Sequence, residues 1–491
     1  MLSLRQLILL KNSLILAGGT TILSVAFGLP LAFLIERIEL PFKKIIRLLI
    51  PVPLLIPPYL HAIAWRFILT NFQFSIFNFQ FSSTALYNLP AAILIMSFAY
   101  FPIVTLLTMF ALKNIDARLE EAGELIYSKR RVWQKITLPL ILPAVASGAF
   151  FVFILSITNF GLPSLLHVNV FTFEIFSQFS AFFNFGKAMI LSWPLIVIVI
   201  GLLVISYQFV LKGKPVIVVS SGTRSPRPIQ TAVIVRIFAL SFIVFLLSVS
   251  VFLPIVSFLI QTENINTFVF AFKSSSSAIF KSLFLAGLGA TIITGAAFVI
   301  RNIFRLATLL FLVFPSITIG VVLIKIFNRP CLEVFYTSFG IIIAGYLIRF
   351  FPYASEILRT FFAQIDKKLI EAAKLTGASN LQALRKVLIP LLTPGLIAAW
   401  LVSFILCLTE LGTTILIQPP GWQTLPIRIF VLMHYGAPEL VAALCLILIV
   451  ITVIPFGFLL CLPAGVLSSA QSHEGLAGKG EKTAQTKKQS G

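Results

Sequence analysis

Apolar runs long enough to cross a hydrocarbon core recur along the whole chain, separated by short polar stretches. A core of roughly 30 Å needs about 20 mostly apolar residues in a helix, because lipid offers no partner to an open backbone amide or carbonyl. Such runs fall at approximately 13–35, 47–69, 90–112, 140–163, 188–210, 233–260, 280–300, 304–326, 338–358, 390–416 and 438–462. The pattern predicts an all-α polytopic membrane protein of about eleven spans, within a range of 10–12. The stretch 168–187, where Phe alternates with polar residues, reads as a re-entrant or interfacial segment. In the second run Pro51, Pro53, Pro57 and Pro58 interrupt helical hydrogen bonding, which predicts a bend or unwound turn facing a cavity.

Composition agrees with this pattern. Hydrophobic residues make up 59% of the 491-residue chain, charged residues 11%, and mean hydropathy is +1.04. A soluble domain averages about 45–50% apolar and about 25% charged residues, so a soluble enzyme is excluded. The net charge of +21 raises nucleic acid as a partner. Its placement argues otherwise: 27 of the 37 Lys and Arg fall on one side of the alternating spans and 9 on the other. The positive-inside rule then puts the richer side in the cytoplasm, the N-terminus outside and the C-terminal tail inside. Leu7–Leu10 reads as the lead-in to a retained span, since the apolar stretch continues without a small-residue cleavage site. Cys331, Cys407, Cys445 and Cys461 show neither a disulfide framework nor a zinc spacing.

The chain also repeats itself. Asp116-Ala-Arg-Leu-Glu-Glu-Ala-Gly-Glu-Leu answers Asp366-Lys-Lys-Leu-Ile-Glu-Ala-Ala-Lys-Leu at an offset of 250. Leu138-Pro-Leu-Ile-Leu-Pro143 answers Ile389-Pro-Leu-Leu-Thr-Pro394 at 251, and the helix after each continues the match at the same offset. Ser13-Leu-Ile-Leu-Ala-Gly18 answers Ser282-Leu-Phe-Leu-Ala-Gly287. Two homologous modules follow, 1–210 and 233–462, each with a five-span core; 233–260 is an extra crossing that restores parity. The Pro-, Ser- and Arg-rich stretch 211–232 is a cytoplasmic linker, and 463–491 a polar tail. A parallel repeat of this kind favours a pathway between the two halves.

The polar stretches 115–139 and 365–390 hold the strongest match. In the second, helix formers carry Leu369, Ala372 and Ala373 at helical spacing, and Gly377 supplies the unstrained positive φ that lets one short helix stop and another begin. A helix-turn-helix knuckle of this kind fits a groove on a partner protein. The stretch resembles the EAA loop of permeases of bacterial ABC importers: Glu371-Ala372-Ala373, a Gly six residues after the Glu, and a closing Ile389-Pro390. The first copy, Glu121-Ala122-Gly123, carries Tyr127 in place of that Gly and is one residue shorter before Pro139. Tyrosine resists positive φ, so its turn must differ.

The resemblance implies a type I importer permease of the bacterial inner membrane with both modules fused. Glu121, Ala122, Gly123, Tyr127, Glu371, Ala372, Ala373 and Gly377 would form the coupling contacts with two copies of a cytoplasmic ATPase. No phosphate loop is present, since Gly478-Lys479-Gly480 lacks the upstream Gly and the hydroxyl residue. ATP and magnesium would therefore sit on that partner, with no cofactor on this chain, and a separate binding protein would deliver substrate from outside. The Tyr127 departure implies that the two ATPase contacts are unequal. Gln418-Pro-Pro-Gly-Trp-Gln-Thr-Leu-Pro-Ile-Arg428 resembles a segment of fused ferric iron permeases, which favours ferric iron over thiamine or another small solute.

Ionisable residues within spans usually face a partner or a water-filled cavity. Glu410 follows the second knuckle and Asn159 occupies its place in the first module, so the pair are candidates for lining the pathway; a structural pairing of Glu410 is the alternative. Arg349 and Glu356 share a helix face in a structural role. His61, His167, His434 and His473 are scattered, and no constellation of nucleophile and base supports a membrane enzyme. An ion-coupled secondary transporter working through Glu410 would have no use for paired knuckles.

Overall fold

The computed structural model describes residues 3–71, 75–76, 79–80, 86–206, 232–300, 308, 311–363, 365, 369, 371, 375, 377 and 379–461. Among these residues nine helices are long and apolar enough to cross a membrane, and a helix pair bent by 91° would add a tenth where its two parts form one span. The linker 211–232, apart from Ala232, and the tail 463–491 lie outside the described residues. So do residues 304–307, 309 and 310 of the run 304–326, whose later part forms the helix Ser316–Phe327.

The first half runs α1 (Leu4–Arg37), α2 (Lys43–Leu49), α3 (Val52–Leu55), α4 (Pro58–Asn71), α5 (Leu89–Lys113), α6 (Ala117–Glu124), α7 (Lys129–Val132), α8 (Leu138–Ile157), α9 (Gly161–Leu165), α10 (Phe171–Ser180) and α11 (Phe185–Ser206). A two-residue antiparallel ladder, Ser75–Ile76 with Phe79–Gln80, lies between α4 and α5. The bend falls between α3 and α4, where Pro57 and Pro58 supply no amide to the ladder. Ile56, Leu60 and His61 there are fully buried. The turn is thus packed in protein, where the prolines alone had suggested a cavity-facing break. The segment 168–187 forms the ten-residue α10, too short to span.

Contacts divide the chain into two compact units that cut across the sequence repeat. One comprises Met1–Ser282, Leu312–Gly345 and Thr409–Val450; the other Leu283–Phe311, Tyr346–Leu408 and Ile451–Gly491. In the first unit α1, α5 and α8 pack through small residues, as membrane helices do where backbones must approach. A Cβ at Gly28 would stand 2.9 Å from the Phe101 carbonyl oxygen, and one at Gly148 3.0 Å from the Val104 Cα. Buried hydroxyls turn back on their own helix: Thr105 donates to the Phe101 carbonyl at 3.0 Å and Ser97 to that of Ile93 at 2.6 Å. The crossing α12 (Val233–Leu247) and α13 (Leu253–Thr262) packs here too, Ser257 donating to the Ala64 carbonyl at 2.9 Å and Phe258 meeting Phe67 edge-on. It leads into α14 (Ile265–Val299).

In the second unit Trp400 donates its indole N–H to Thr291 at 3.0 Å and stacks on Phe404. Gly395 lies against Phe361, where a Cβ would come within 2.6 Å of the ring.

Gly28→Val is expected to lower the apparent melting temperature of the detergent-solubilised protein, by the roughly 1–3 kcal/mol of an overpacked core. Gly18, with open space around its Cα, serves as the control: Gly18→Ala should leave the melt unchanged or raise it slightly.

Candidate functional site

The first knuckle begins at Asp116, whose carboxylate accepts the Arg118 amide at 3.0 Å and so caps α6. The helix stops at Leu125. The chain turns with the Tyr127 amide on the Gly123 carbonyl at 2.8 Å, and Ser128 starts α7. Tyr127 does not take positive φ; it lies half-buried with the Lys135 ammonium 4.7 Å from its ring centre. Gly123 is buried, and a Cβ there would run into Ile136 and stand 3.3 Å from Val132. The absence of a side chain at 123 thus goes with the shorter turn. Glu121 and Ala122 are exposed.

In the second knuckle Gly377 takes φ +83°, a conformation glycine adopts without cost. Two residues on, Ser379 opens the next helix with a capping box, its hydroxyl accepting the Gln382 amide at 3.2 Å while the Gln382 side chain accepts the Ser379 amide at 3.0 Å. In the first knuckle the helix-starting serine follows Tyr127 directly, so the missing residue falls in the turn, and a left-handed residue is not needed there. Glu371 is exposed; Ala372 and Ala373 lie outside the described residues. Both knuckles expose leucine at matching places. Leu119 and Leu369 are 51% and 49% exposed, and Leu125 and Leu375 are each 88% exposed.

Each knuckle joins the following membrane helix through a wide π turn, Trp133–Thr137 before Leu138-Pro139 and Leu384–Leu388 before Ile389-Pro390. The Leu138 amide reaches back to the Trp133 carbonyl and that of Ile389 to Leu384, five residues in each case. A proline ring presses on the carbonyl four residues before it, and the wider turn relieves that contact. A third π turn, Ser248–Phe252, precedes Leu253-Pro254. Proline alone does not force it, because Pro102 lies within the continuous helix α5.

A contact that the motif comparison missed ties the first knuckle to α1. Arg37 donates through both terminal nitrogens to Glu120, each at 2.7 Å, and the Thr137 hydroxyl donates to the same carboxylate at 2.6 Å. Arg37 ends an apolar run and Glu120 adjoins the motif glutamate, which was the only signal in the sequence.

Asn159 and Glu410 occupy equivalent breaks. The Asn159 side-chain oxygen accepts the Leu162 amide at 3.1 Å, and Glu410 accepts the Thr413 amide at 2.7 Å. Each carries a chain turn into a short helix, α9 or Thr414–Ile417. Asn159 also donates to the Tyr100 hydroxyl at 3.2 Å, and Glu410 is 6% exposed. Gly412 lies against Ser316, whose carbonyl accepts the Thr413 hydroxyl at 3.1 Å. The repeat extends to a further bond: Ser13 accepts the Phe171 amide at 2.9 Å, and Ser282 the Leu425 amide at 2.6 Å, at the starts of α10 and of the helix Leu425–Tyr435. Glu356 pairs with Arg359 at 3.5 Å. Among the described residues no three His, Cys, Asp or Glu side chains gather as a metal-binding group.

The family model for the binding-protein-dependent transport system inner membrane component matches the chain twice, over residues 25–213 and 287–462. An Fe(3+)-transport system permease protein of Haemophilus influenzae is 27% identical over 442 residues, 86% of this chain and 83% of the relative. A ferric transport system permease protein of Actinobacillus pleuropneumoniae is 25% identical over 443 residues, 83% of this chain and 64% of the relative. A spermidine/putrescine transport system permease protein of Haemophilus influenzae is 30% identical over 177 residues, 34% of this chain and 68% of the relative.

Glu410 stabilises its break as an acceptor of a backbone amide, a role that glutamine can keep. Glu410→Gln should therefore melt close to the wild-type chain in detergent, whereas Glu410→Ala and Asn159→Ala should each lose about 1 kcal/mol or more. A Gln variant as damaged as the Ala variant would contradict the cap.

Proposed function

Because the chain belongs to the family of binding-protein-dependent transport system inner membrane components, we propose that it is the fused membrane subunit of an ATP-driven importer. In this reading the two knuckles lie on the cytoplasmic side and dock two copies of an ATPase subunit that binds ATP and magnesium. A binding protein outside delivers substrate to a pathway between the modules. The observation that carries the reading is the repeated pair of exposed leucines, Leu119 with Leu125 and Leu369 with Leu375. Exposed apolar anchors on a short polar helix pair are what a groove on a partner protein would take up. The same orientation puts the N-terminus outside and the C-terminal tail in the cytoplasm. It also assigns the coupling contacts to Glu121, Ala122, Gly123, Tyr127, Glu371, Ala372, Ala373 and Gly377.

Closure of the two ATPase subunits would draw the knuckles together and rock the modules between inward- and outward-facing states. Asn159 and Glu410 would lie along the pathway, where their capped breaks bring open backbone near the substrate's route. Ferric iron is the favoured substrate, supported by relatives described as ferric permeases over more than four-fifths of this chain. The spermidine/putrescine relative keeps a small organic cation as the second reading.

Glu371→Lys and Gly377→Pro should each reduce uptake of labelled ferric iron by at least about tenfold, the effect of ~1.4 kcal/mol, while the chain still reaches the membrane in normal amount. Normal uptake in either variant would remove the coupling assignment. Loss of spermidine uptake with unchanged iron uptake on deleting the chain would keep the importer and replace its substrate.

A further inference from the structure

The Arg37–Glu120–Thr137 contact is unusual for its burial as well as its geometry. The Arg37 side chain is 6% exposed and that of Glu120 17%. Both oxygens of Glu120 are engaged by the guanidinium, in the bidentate arrangement that fixes direction as well as distance. Oxygen Oε1 also takes the Thr137 hydroxyl. One carboxylate thus holds three elements together: the end of α1, the knuckle helix α6, and the π turn at the base of α8. Removing either charge would leave the other buried without compensation.

The charges nearby in sequence are engaged elsewhere. Glu36 pairs with Arg47 of α2 at 2.6 Å, its carbonyl accepts from Lys43 at 3.2 Å, and Glu39 lies 3.7 Å from Arg236 of α12. The end of α1 is therefore braced in three directions, towards the knuckle, the next helix and the extra crossing.

The second knuckle cannot make the same contact. At the offset of 250, Glu120 is answered by Ile370, and at 251 Thr137 is answered by Leu388. Leu388 is 8% exposed and apolar. Neither the acceptor nor the hydroxyl donor is present in the second copy.

We propose that Arg37 is a positioning residue that locks the first knuckle to α1 through Glu120, so that the first knuckle moves with its helix bundle while the second lacks that tie. The proposal rests on the importer reading, in which the knuckles receive the ATPase stroke, and adds the route by which one of them passes it on. A displacement of α6 would reach α1 directly through the ion pair. From there it would reach α5 and α8, against which α1 packs at Gly28 and its neighbours. In the second module the stroke must travel without this link.

The test separates the tie from the transport role. With Cys331, Cys407, Cys445 and Cys461 replaced, a nitroxide is placed at Leu125→Cys or, as the control, at Leu375→Cys, both highly exposed positions. Arg37→Gln and Glu120→Gln should sharpen the spectrum at 125 and leave that at 375 unchanged. The reversed pair Arg37→Glu with Glu120→Arg should restore the spectrum of the parent chain. Thr137→Val, which keeps both charges, should give an intermediate effect and guards against a misfolded charge variant. An unchanged spectrum at 125, or an equal change at 375, overturns the tie.

Uptake is then measured in the unlabelled variants alongside ATP hydrolysis. Loss of uptake by several-fold with hydrolysis retained, recovered in the reversed pair, supports transmission through Arg37. A loosened knuckle with wild-type uptake overturns the positioning role and leaves the importer reading intact. A wild-type chain without ATP-driven uptake overturns the importer reading and the transmission role with it, while the spectra still judge the tie.

Discussion

No backbone amide or carbonyl can be left open in a hydrocarbon core, and several departures from continuous helix among the described residues are organised around that constraint. Where α8 ends, Asn159 supplies the acceptor that starts α9; where the helix Ile389–Thr409 ends, Glu410 does the same for Thr414–Ile417. At the bend between α3 and α4 the residues without amides are prolines, and the turn is sealed by Ile56, Leu60 and His61. At both knuckle junctions a π turn widens the ladder where a proline would otherwise press on it. Breaks that would be costly in lipid thereby keep their backbone groups paired or packed.

The duplication shows which of these solutions the fold requires. The serine that receives the first amide of a short helix appears twice, as Ser13 and Ser282, and so do the capping acceptor and the π turn. The two copies differ at the knuckles. A turn with Gly377 at positive φ and a capping box in one copy becomes a shorter turn in the other, with Tyr127 outside the left-handed region and Gly123 packed on Ile136. The buried ion pair at Glu120 has no counterpart at Ile370. Unequal chemistry at equivalent places is the basis on which the two modules would be driven differently.

Much of this was legible in the sequence because membrane helices declare themselves by length and because the strongest repeat lies outside them. The family, the two modules, the bend at Pro57 and the need for glycine at 377 could each be read from residues alone. The Arg37–Glu120 pair could not, since its partners stand 83 positions apart and neither belongs to a periodic pattern. Glu410 and Asn159 were legible as polar residues in apolar runs, but their work as caps depends on where the helix stops, and helix ends inside uniformly apolar sequence carry no signal. The extra crossing 233–260 reads as part of the second module, yet Ser257 and Phe258 pack it on α4 of the first.

The source of driving force separates this reading from an ion-coupled carrier most directly. Uptake of labelled ferric iron, presented on its binding protein to sealed vesicles containing this chain and its ATPase, is measured with proton and sodium gradients collapsed. An importer driven through the knuckles predicts uptake that requires ATP and survives loss of the gradients. Uptake that proceeds without ATP and stops when the gradients collapse would contradict it.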